Sequence, residues 1–129
     1  MTQSRKLILH LEDDVSQQSL VRVSLERLGT YEVRSAGNGY QAIDLARERV
    51  PQLLLLDLDL PGMDGIATLR GLRAIHGLDA VPVVFLTAAG PARMDEELRS
   101  LGVREVLGKP FSPRALAQAI DRVLSNPPR

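Results

Sequence analysis

The stretch Leu53-Leu54-Leu55-Leu56-Asp57 decides the fold, and a turn sequence, Leu60-Pro61-Gly62-Met63-Asp64-Gly65, follows it almost at once. Four leucines in a row predict a strand buried on both faces, as in the middle of a parallel sheet. Asp57 closes that strand. Open α/β sheets carry their chemistry beyond the carboxyl ends of their strands, so Asp57 is the first candidate for a functional residue.

Strand and helix signals alternate along the whole chain. The apolar patterns predict strands at residues 6–11, 31–35, 53–56, 81–86 and 103–107, with a helix after each. Strict alternation of this kind predicts the α/β class, with a parallel sheet and helices on both of its faces. The periodicity leaves the order of the strands open.

Turn and cap residues place the ends of the predicted helices. Gly29 is expected to end the first helix, Asp64 to cap the third, and Ser112 to cap the fifth. Pro91 suits the first turn of a fourth helix, which Gly102 would end. Asp14 is interpreted as a residue that starts the first helix.

Length and composition indicate one ordinary globular domain. The 129 residues predict a single domain with a core at about 6–124 and a Pro-rich tail at 125–129. The formal net charge is zero and no cysteine is present, so we expect no direct nucleic-acid contact, no disulfide and no thiolate metal site. No apolar run approaches the roughly 20 residues that cross a bilayer. The expected location is the cytoplasm, without a membrane.

Acidic and basic side chains follow several of the predicted strands. Glu12 and Asp13 follow the first, Asp57 the third, Thr87 the fourth and Lys109 the fifth. Clustered carboxylates repel one another unless cations lie between them, and oxygen ligands without cysteine favour Mg²⁺. A metal ion and a lysine suit phosphoryl transfer, with Asp57 as the nucleophile that forms an acyl phosphate. The Thr87 hydroxyl would donate to a phosphoryl oxygen.

Four motifs together resemble the receiver domain of two-component response regulators, the CheY-like family. They are Glu12-Asp13, Asp57-x-x-x-Pro61-Gly62-Met63-Asp64-Gly65, Thr87-Ala88 and Lys109-Pro110-Phe111, and the resemblance covers about residues 6–124. It implies a flavodoxin-like, doubly wound (βα)5 fold with the sheet order 2-1-3-4-5, whose switch point lies between strands one and three. The acidic groups fall on those two strands.

The resemblance also implies a role for each residue at the acidic end. Asp57 would accept a phosphoryl group from a histidine kinase or a histidine phosphotransfer protein. Asp13 would bind Mg²⁺ directly, Glu12 mainly through water, and Asp57 as the second carboxylate ligand. Asp59 would offer its backbone carbonyl to the metal. A domain of this family is not expected to be an enzyme beyond its own phosphorylation and dephosphorylation.

A second group of residues would hold and sense the phosphoryl group. By resemblance, Thr87 and Lys109 bind phosphoryl oxygens, the Lys109-Pro110 peptide is cis, and Thr87, Ala88 and Val106 form the switch region. Ala88 is small enough to leave the site open to a partner's histidine.

Two positions depart from the family's pattern or stay open within it. Val106 stands where the family often carries Tyr or Phe, so we expect phosphorylation to be sensed chiefly through the Thr87–Pro91 loop and the helix of Met94. Asp59 places a carboxylate two residues after Asp57, where it would orient or repel hydrolytic water and change the dephosphorylation rate.

The resemblance implies a surface for a downstream partner on the fourth helix, fifth strand and fifth helix. Its expected contact residues are Met94, Leu98, Arg104 and Ala115, and a homodimer is an open alternative. Any output function is expected in another protein, or beyond a linker that begins at Pro127-Pro128. His10, inside the first strand, is interpreted as a packed core histidine.

Two other functions stay open. A receiver that takes no phosphate and serves only for docking is the first. The second is a haloacid-dehalogenase-type phosphatase, because Asp57-Leu58-Asp59 imitates its nucleophile and second acid. That motif normally follows the first strand of its sheet and has long cap insertions nearby, whereas here it follows the third strand of a short chain.

Overall fold

The leucines before Asp57 form the most buried strand of the protein. In the computed structural model, which describes residues 5–28 and 30–126, all four leucines have no exposed surface. Their strand pairs with a parallel neighbour on each side, as the sequence predicts for a central strand. The predicted Pro-rich tail is described only at Ser125 and Asn126, and the proposed linker start at Pro127-Pro128 lies outside the described residues.

Five strands and five α-helices alternate in this part of the chain, and all strand pairs are parallel. The order in the sheet is β2-β1-β3-β4-β5, which confirms the flavodoxin-like order expected from the resemblance. The strands are β1 (Lys6–Leu11), β2 (Tyr31–Ala36), β3 (Leu53–Asp57), β4 (Val83–Thr87) and β5 (Val103–Gly108). The helices are α1 (Val15–Leu28), α2 (Gly39–Glu48), α3 (Gly65–Arg73), α4 (Glu96–Ser100) and α5 (Pro113–Ser125).

Two hydrophobic layers cover the sheet, one on each face. Along β3, Leu54 and Leu56 pack with residues of α2, α3 and α4. Leu53 and Leu55 point the other way and pack with residues of α1 and α5. Side chains alternate between the two faces of a strand, so one leucine run contributes to both layers.

Polar side chains cap the helices where the sequence predicts them. The Asp64 carboxylate accepts hydrogen bonds from the first-turn amides of Ile66 and Ala67, at 3.0 and 3.1 Å. Ser112 and Asp14 accept in the same way from amides three residues on, at 3.0 and 2.9 Å. These contacts confirm the three predicted caps. Gly29, expected to end the first helix, lies outside the described residues.

The predicted fourth helix is divided in two, and this corrects the expectation of one helix starting at Pro91. Pro91 begins only a short 3-10 turn at Gly90–Arg93, and Met94 is extended. The Asp95 carboxylate then accepts from the Leu98 amide at 3.0 Å and starts α4 at Glu96. The cap at Asp95 competes with a continuous helix, because a capping aspartate favours an extended backbone at its own position. Gly102 ends α4 with a φ of 82°, as predicted.

Within residues 5–28 and 30–126, no helix combines the length and the apolar character that a transmembrane span requires.

Candidate functional site

The sheet order brings the ends of β1 and β3 side by side. Leu11, the last residue of β1, pairs with Leu56, so Glu12 and Asp57 follow at neighbouring strand ends. They line one cleft together with Asp13 and Lys109. The predicted acidic residues of two separate segments therefore meet at the carboxyl edge of the sheet.

Asp57 is held between a cation and an amide. Its side chain is only 1% exposed, and its Oδ2 contacts the ammonium of Lys109, which follows β5. Its Oδ1 accepts a hydrogen bond from the Asp59 backbone amide at 2.7 Å. Burying a carboxylate without polar partners is costly, and here the Lys109 ammonium and the Asp59 amide supply those partners at the edge of the cleft.

The Asp59 side chain reaches across to the end of β4. Its Oδ1 accepts from the Thr87 hydroxyl at 2.8 Å, and its Oδ2 accepts from the Ala88 amide at 2.7 Å. The Lys109 Nζ lies 3.8 Å from the same Oδ2. Burial alone would raise the pKa of Asp59, but the bonds from Ala88 and Thr87 and the charge of Lys109 outweigh it, so the pKa is lowered.

Glu12 is buried, and its pKa is raised to about 7. Burial is the largest cause, the Asp14 amide opposes it with a hydrogen bond at 3.1 Å, and the nearby carboxylates of Asp57 and Asp13 add to the rise. Asp13 is exposed on the rim of the same cleft. This part of the cleft thus has more negative charge than its own cation neutralises.

The carboxylates share a cleft without forming a finished coordination shell. Among residues 5–28 and 30–126, no three His, Asp or Glu side chains already stand in an arrangement that could hold a metal ion. Lys109 takes one Asp57 oxygen and the Asp59 amide the other, while Asp13 faces solvent. The predicted Mg²⁺ ligands are therefore brought together by the fold, and their role as ligands stays a prediction.

The ends of β4 and β5 join at the other side of the site. The Lys109 amide donates to the Thr87 carbonyl at 3.1 Å, and the Lys109-Pro110 peptide is cis, as the resemblance implies. Thr87 is buried and Ala88 is exposed. Val106 is buried and pairs with Phe85 in the sheet.

His10 lies under the cleft, and this position was not predicted. The ring is fully buried, as expected of a core histidine, but neither ring nitrogen has a hydrogen-bond partner among the described residues. Burial lowers the pKa of His10 to about 4, Asp57 opposes that shift, and Lys109 adds to it. Strand alternation could have predicted this position, because His10 precedes Glu12 by two residues and so lies on the same face.

One residue of the predicted partner surface is not accessible. Leu98 is 0% exposed and packs into the core with Met94 partly buried beside it, which corrects its place among the contact residues. α4 has only five residues, and Leu98 is the one whose side chain is buried, so it faces the core. Met94, Arg104 and Ala115 each keep part of their surface exposed.

The fold and the site define a signalling receiver, and comparison with known proteins agrees. A model of the response regulator receiver domain matches residues 8–121. The chain belongs to the response regulator receiver domain family of two-component signal transduction.

Three bacterial relatives match most of this chain. The probable chemotaxis protein CheY of Rhizobium etli is 31% identical over 116 residues, which are 90% of each chain. Sporulation initiation phosphotransferase F of Bacillus subtilis is 32% identical over 91% of this chain and 92% of its own length. The phosphate regulon regulatory protein PhoB of Pseudomonas aeruginosa is 35% identical over 92% of this chain, which spans only 52% of PhoB.

Solved structures show the same fold. CheY4 of Vibrio cholerae superposes with a TM-score of 0.84 at 26% identity, over 92% of this chain and 98% of that one. The receiver domain of a sensor histidine kinase from Pseudomonas aeruginosa has a TM-score of 0.79 at 29% identity, over 95% and 99% of the two chains. That domain was solved with a magnesium ion coordinated in its active-site cleft.

Proposed function

We propose that Asp57 accepts a phosphoryl group from a phosphohistidine donor in the cytoplasm, and that this modification changes the affinity of the domain for a partner. The observation that carries the proposal is the setting of Asp57. Its carboxylate is buried at a strand end, contacts Lys109, and borders an open cleft with Glu12 and Asp13. The donor would be a histidine kinase or a histidine phosphotransfer protein.

The chemical step needs a charged oxygen and groups that neutralise the phosphoryl oxygens. An Asp57 carboxylate oxygen forms a bond to phosphorus while the P–N bond of a phosphohistidine protonated on its other ring nitrogen breaks, and the imidazole leaves as the neutral base. The Lys109 ammonium and the Thr87 hydroxyl, with the Ala88 amide beside it, bind oxygens of the transferred group. In the unmodified protein the Thr87 hydroxyl and the Ala88 amide donate to the Asp59 carboxylate, and the Lys109 Nζ lies 3.8 Å from the same carboxylate, so all three donors already lie near the strand end that carries Asp57.

The residues at the cleft fit a hard divalent cation. Glu12 has a raised pKa because burial and two further carboxylates act on it, and a cation would remove that excess negative charge. Asp13, Asp57 and the Asp59 carbonyl would hold Mg²⁺, with Glu12 acting through water. When bound, Mg²⁺ supplies charge neutralisation for the phosphoryl oxygens. The magnesium in the related receiver from Pseudomonas aeruginosa supports this proposal.

The donor protein would dock on α1. Val15, the first residue of α1, is 72% exposed, and Leu20, which also lies in α1, is exposed and lines the cleft. Exposed apolar side chains beside a reactive group suit a protein partner better than a small molecule. This surface would bring a partner's imidazole to the open side of Asp57.

A downstream partner would bind to the face formed by α4, β5 and α5. Met94, Arg104 and Ala115 are its partly exposed residues, and a homodimer through this or another face is an open alternative. Val106 offers no ring that could swing between two positions. The conformational change that follows phosphorylation would therefore involve the Thr87–Pro91 segment, whose Gly90 lies against Gly108 of β5. Phosphorylation shifts the population between states that already exist.

Acetyl phosphate labelling tests the proposal. The parent chain, Asp57→Asn and Asp44→Asn would each be incubated with acetyl phosphate, with and without Mg²⁺, and weighed by intact-mass spectrometry. Asp44 is an exposed acid of α2 outside the cleft, so its variant is the matched control. We expect one phosphoryl group on the parent and on Asp44→Asn, only with Mg²⁺, and none on Asp57→Asn.

Other outcomes would select another function. No labelling of the parent would favour a receiver that only docks. Steady release of phosphate from a phosphomonoester, with many turnovers per chain, would favour a phosphatase. Labelling that persists in Asp57→Asn would contradict the assignment of the acceptor.

A further inference from the structure

The Asp59 carboxylate accepts hydrogen bonds from two donors and lies near a third. The Thr87 hydroxyl donates to Oδ1 at 2.8 Å, the Ala88 amide donates to Oδ2 at 2.7 Å, and the Lys109 Nζ lies 3.8 Å from Oδ2. Both hydrogen bonds connect residues 28 or 29 positions apart, so they join the end of β3 to the end of β4. These are the donors that the proposed function gives to the phosphoryl oxygens.

We propose that the Asp59 carboxylate is an internal competitor for the phosphoryl group. It occupies the phosphoryl-binding donors while Asp57 is unmodified, and it must release them when Asp57 is phosphorylated. The proposal rests on the proposed function and adds to it a regulatory contact made by the chain's own side chain.

Hydrogen-bond capacity makes the competition obligatory. A threonine hydroxyl has one hydrogen to donate, and so does a backbone amide. Neither Thr87 nor Ala88 can fully serve Asp59 and a phosphoryl oxygen at the same time. Charge-assisted hydrogen bonds to a carboxylate are stronger than neutral ones, so releasing them has a real cost.

The exposed fractions of the two side chains show that Asp59, and not Asp57, is the carboxylate that can move. The Asp59 side chain is 37% exposed, whereas that of Asp57 is 1% exposed. Asp59 can turn toward water and recover hydration there, while Asp57 cannot move out of its strand end. The Asp59 backbone amide, bonded to Asp57 Oδ1 at 2.7 Å, does not depend on where the Asp59 side chain points.

Simple charge repulsion is the rival explanation, and it makes a different prediction. If Asp59 only repelled an incoming anion, removing its charge would help by the same factor whether or not Thr87 could donate. If Asp59 competes for donors, the benefit must shrink once one contested donor is gone. A double-mutant cycle between Asp59 and Thr87 separates the two explanations.

The experiment measures the affinity of the full chain for beryllofluoride, a non-covalent phosphoryl analogue, in buffer with Mg²⁺. We expect Asp59→Ala to bind about tenfold more tightly than the parent, because two charge-assisted hydrogen bonds no longer have to be broken. In a Thr87→Val background the same substitution should gain only about threefold. Asp44→Ala, which removes an exposed acid outside the cleft, is the control and should bind as the parent does.

A second readout examines the resting contact without any phosphoryl analogue. In the ¹H–¹⁵N spectrum of the unmodified protein, the Ala88 amide should resonate downfield because it donates to a carboxylate, and should move upfield in Asp59→Ala but not in Asp44→Ala. Beryllofluoride should move this signal in the parent as one acceptor replaces another.

The outcomes separate this inference from the proposed function. Equal affinities of the parent and Asp59→Ala, or an equal gain in both Thr87 backgrounds, would overturn the competition and leave Asp57 as the acceptor. Failure of both proteins to bind beryllofluoride would overturn the proposed function and the competition with it. An Ala88 signal that Asp59→Ala does not move would show that the resting contact is absent, which also overturns the inference.

Discussion

Lys109 contacts the Asp57 carboxylate across 52 residues of sequence, and the two side chains differ widely in exposure. Asp57 is buried, while 29% of Lys109 remains accessible. The acid therefore depends on the lysine for its charge compensation, whereas the lysine can still find water. This asymmetry determines what the loss of either partner does.

Lys109→Met should lower both stability and phosphorylation. The substitution leaves a buried carboxylate without its cation, and because Lys109 is partly solvated we expect a loss of about 1–3 kcal/mol in the free energy of unfolding. Acetyl phosphate labelling of Asp57 should fall at least about tenfold, since one group that binds the phosphoryl oxygens is gone. Urea unfolding and intact-mass spectrometry measure the two effects.

The matched control for that variant is Lys6→Met, which removes an exposed lysine at the start of β1. It should leave labelling unchanged. Equal losses of labelling in both variants would contradict a specific role for Lys109.

Glu12 should make the protein less stable as the pH rises. Its pKa is raised from 4.5 to about 7 in the fold, so between these values the folded chain keeps a proton that the unfolded chain has released. The free energy of unfolding must then fall as the pH increases through this window. Glu12→Gln has no such proton to lose, so above pH 7 we expect its free energy of unfolding to exceed that of the parent by about 1–3 kcal/mol.

Urea unfolding at a series of pH values, with and without Mg²⁺, checks this prediction. Mg²⁺ should favour ionised Glu12 and reduce the fall in the parent, but should change the profile of Glu12→Gln less. Glu48→Gln, at an exposed glutamate of α2, should keep the parent's profile. A parent whose stability rises steadily between pH 4.5 and 7, even after the contribution of His10 is removed, would refute the prediction.

His10 should act in the opposite direction. Its pKa is lowered from 6.5 to about 4, so the unfolded chain binds a proton that the buried ring refuses. Its contribution is complete above pH 6.5 and is lost as the pH falls toward 4. His10→Leu removes that loss and two unpartnered buried nitrogens, so the variant should be more stable by about 1–3 kcal/mol at about pH 5.

Acid unfolding followed by circular dichroism would measure this gain, with His76→Gln as the variant that removes an exposed imidazole instead. The expected result is a gain for His10→Leu alone. A loss of stability at pH 5 would mean that the ring makes a favourable contact in the core.

Local signals predicted most of the fold because they depend on neighbours in sequence. The leucine run before Asp57 requires only burial on both faces, and the cap at Asp64 requires only the amides that follow it. The fourth helix was predicted wrongly from an equally local signal, since Pro91 suits a helix start but begins only a 3-10 turn, and the cap at Asp95 was not considered. The apolar spacing of Met94 and Leu98 concealed the break.

The site was predicted as a set of residues, but its contacts were not. Alternating strands place Asp57, Thr87 and Lys109 at one edge of any such sheet. The hydrogen bonds of Asp59 to the end of β4 depend on the relative height of two strand ends and on a side-chain rotamer, and neither leaves a trace in sequence. The same holds for the lack of partners around His10.

The contact between Gly90 and Gly108 fixes a spacing within the site. A Cβ atom on Gly108 would lie 3.3 Å from the Gly90 Cα, and Gly90 has a φ of 66°, where side chains are strained. The segment after Thr87 thus touches the segment before Lys109 through bare main chain. A larger residue at either position would push these two segments apart, although neither glycine contributes a side chain to the site.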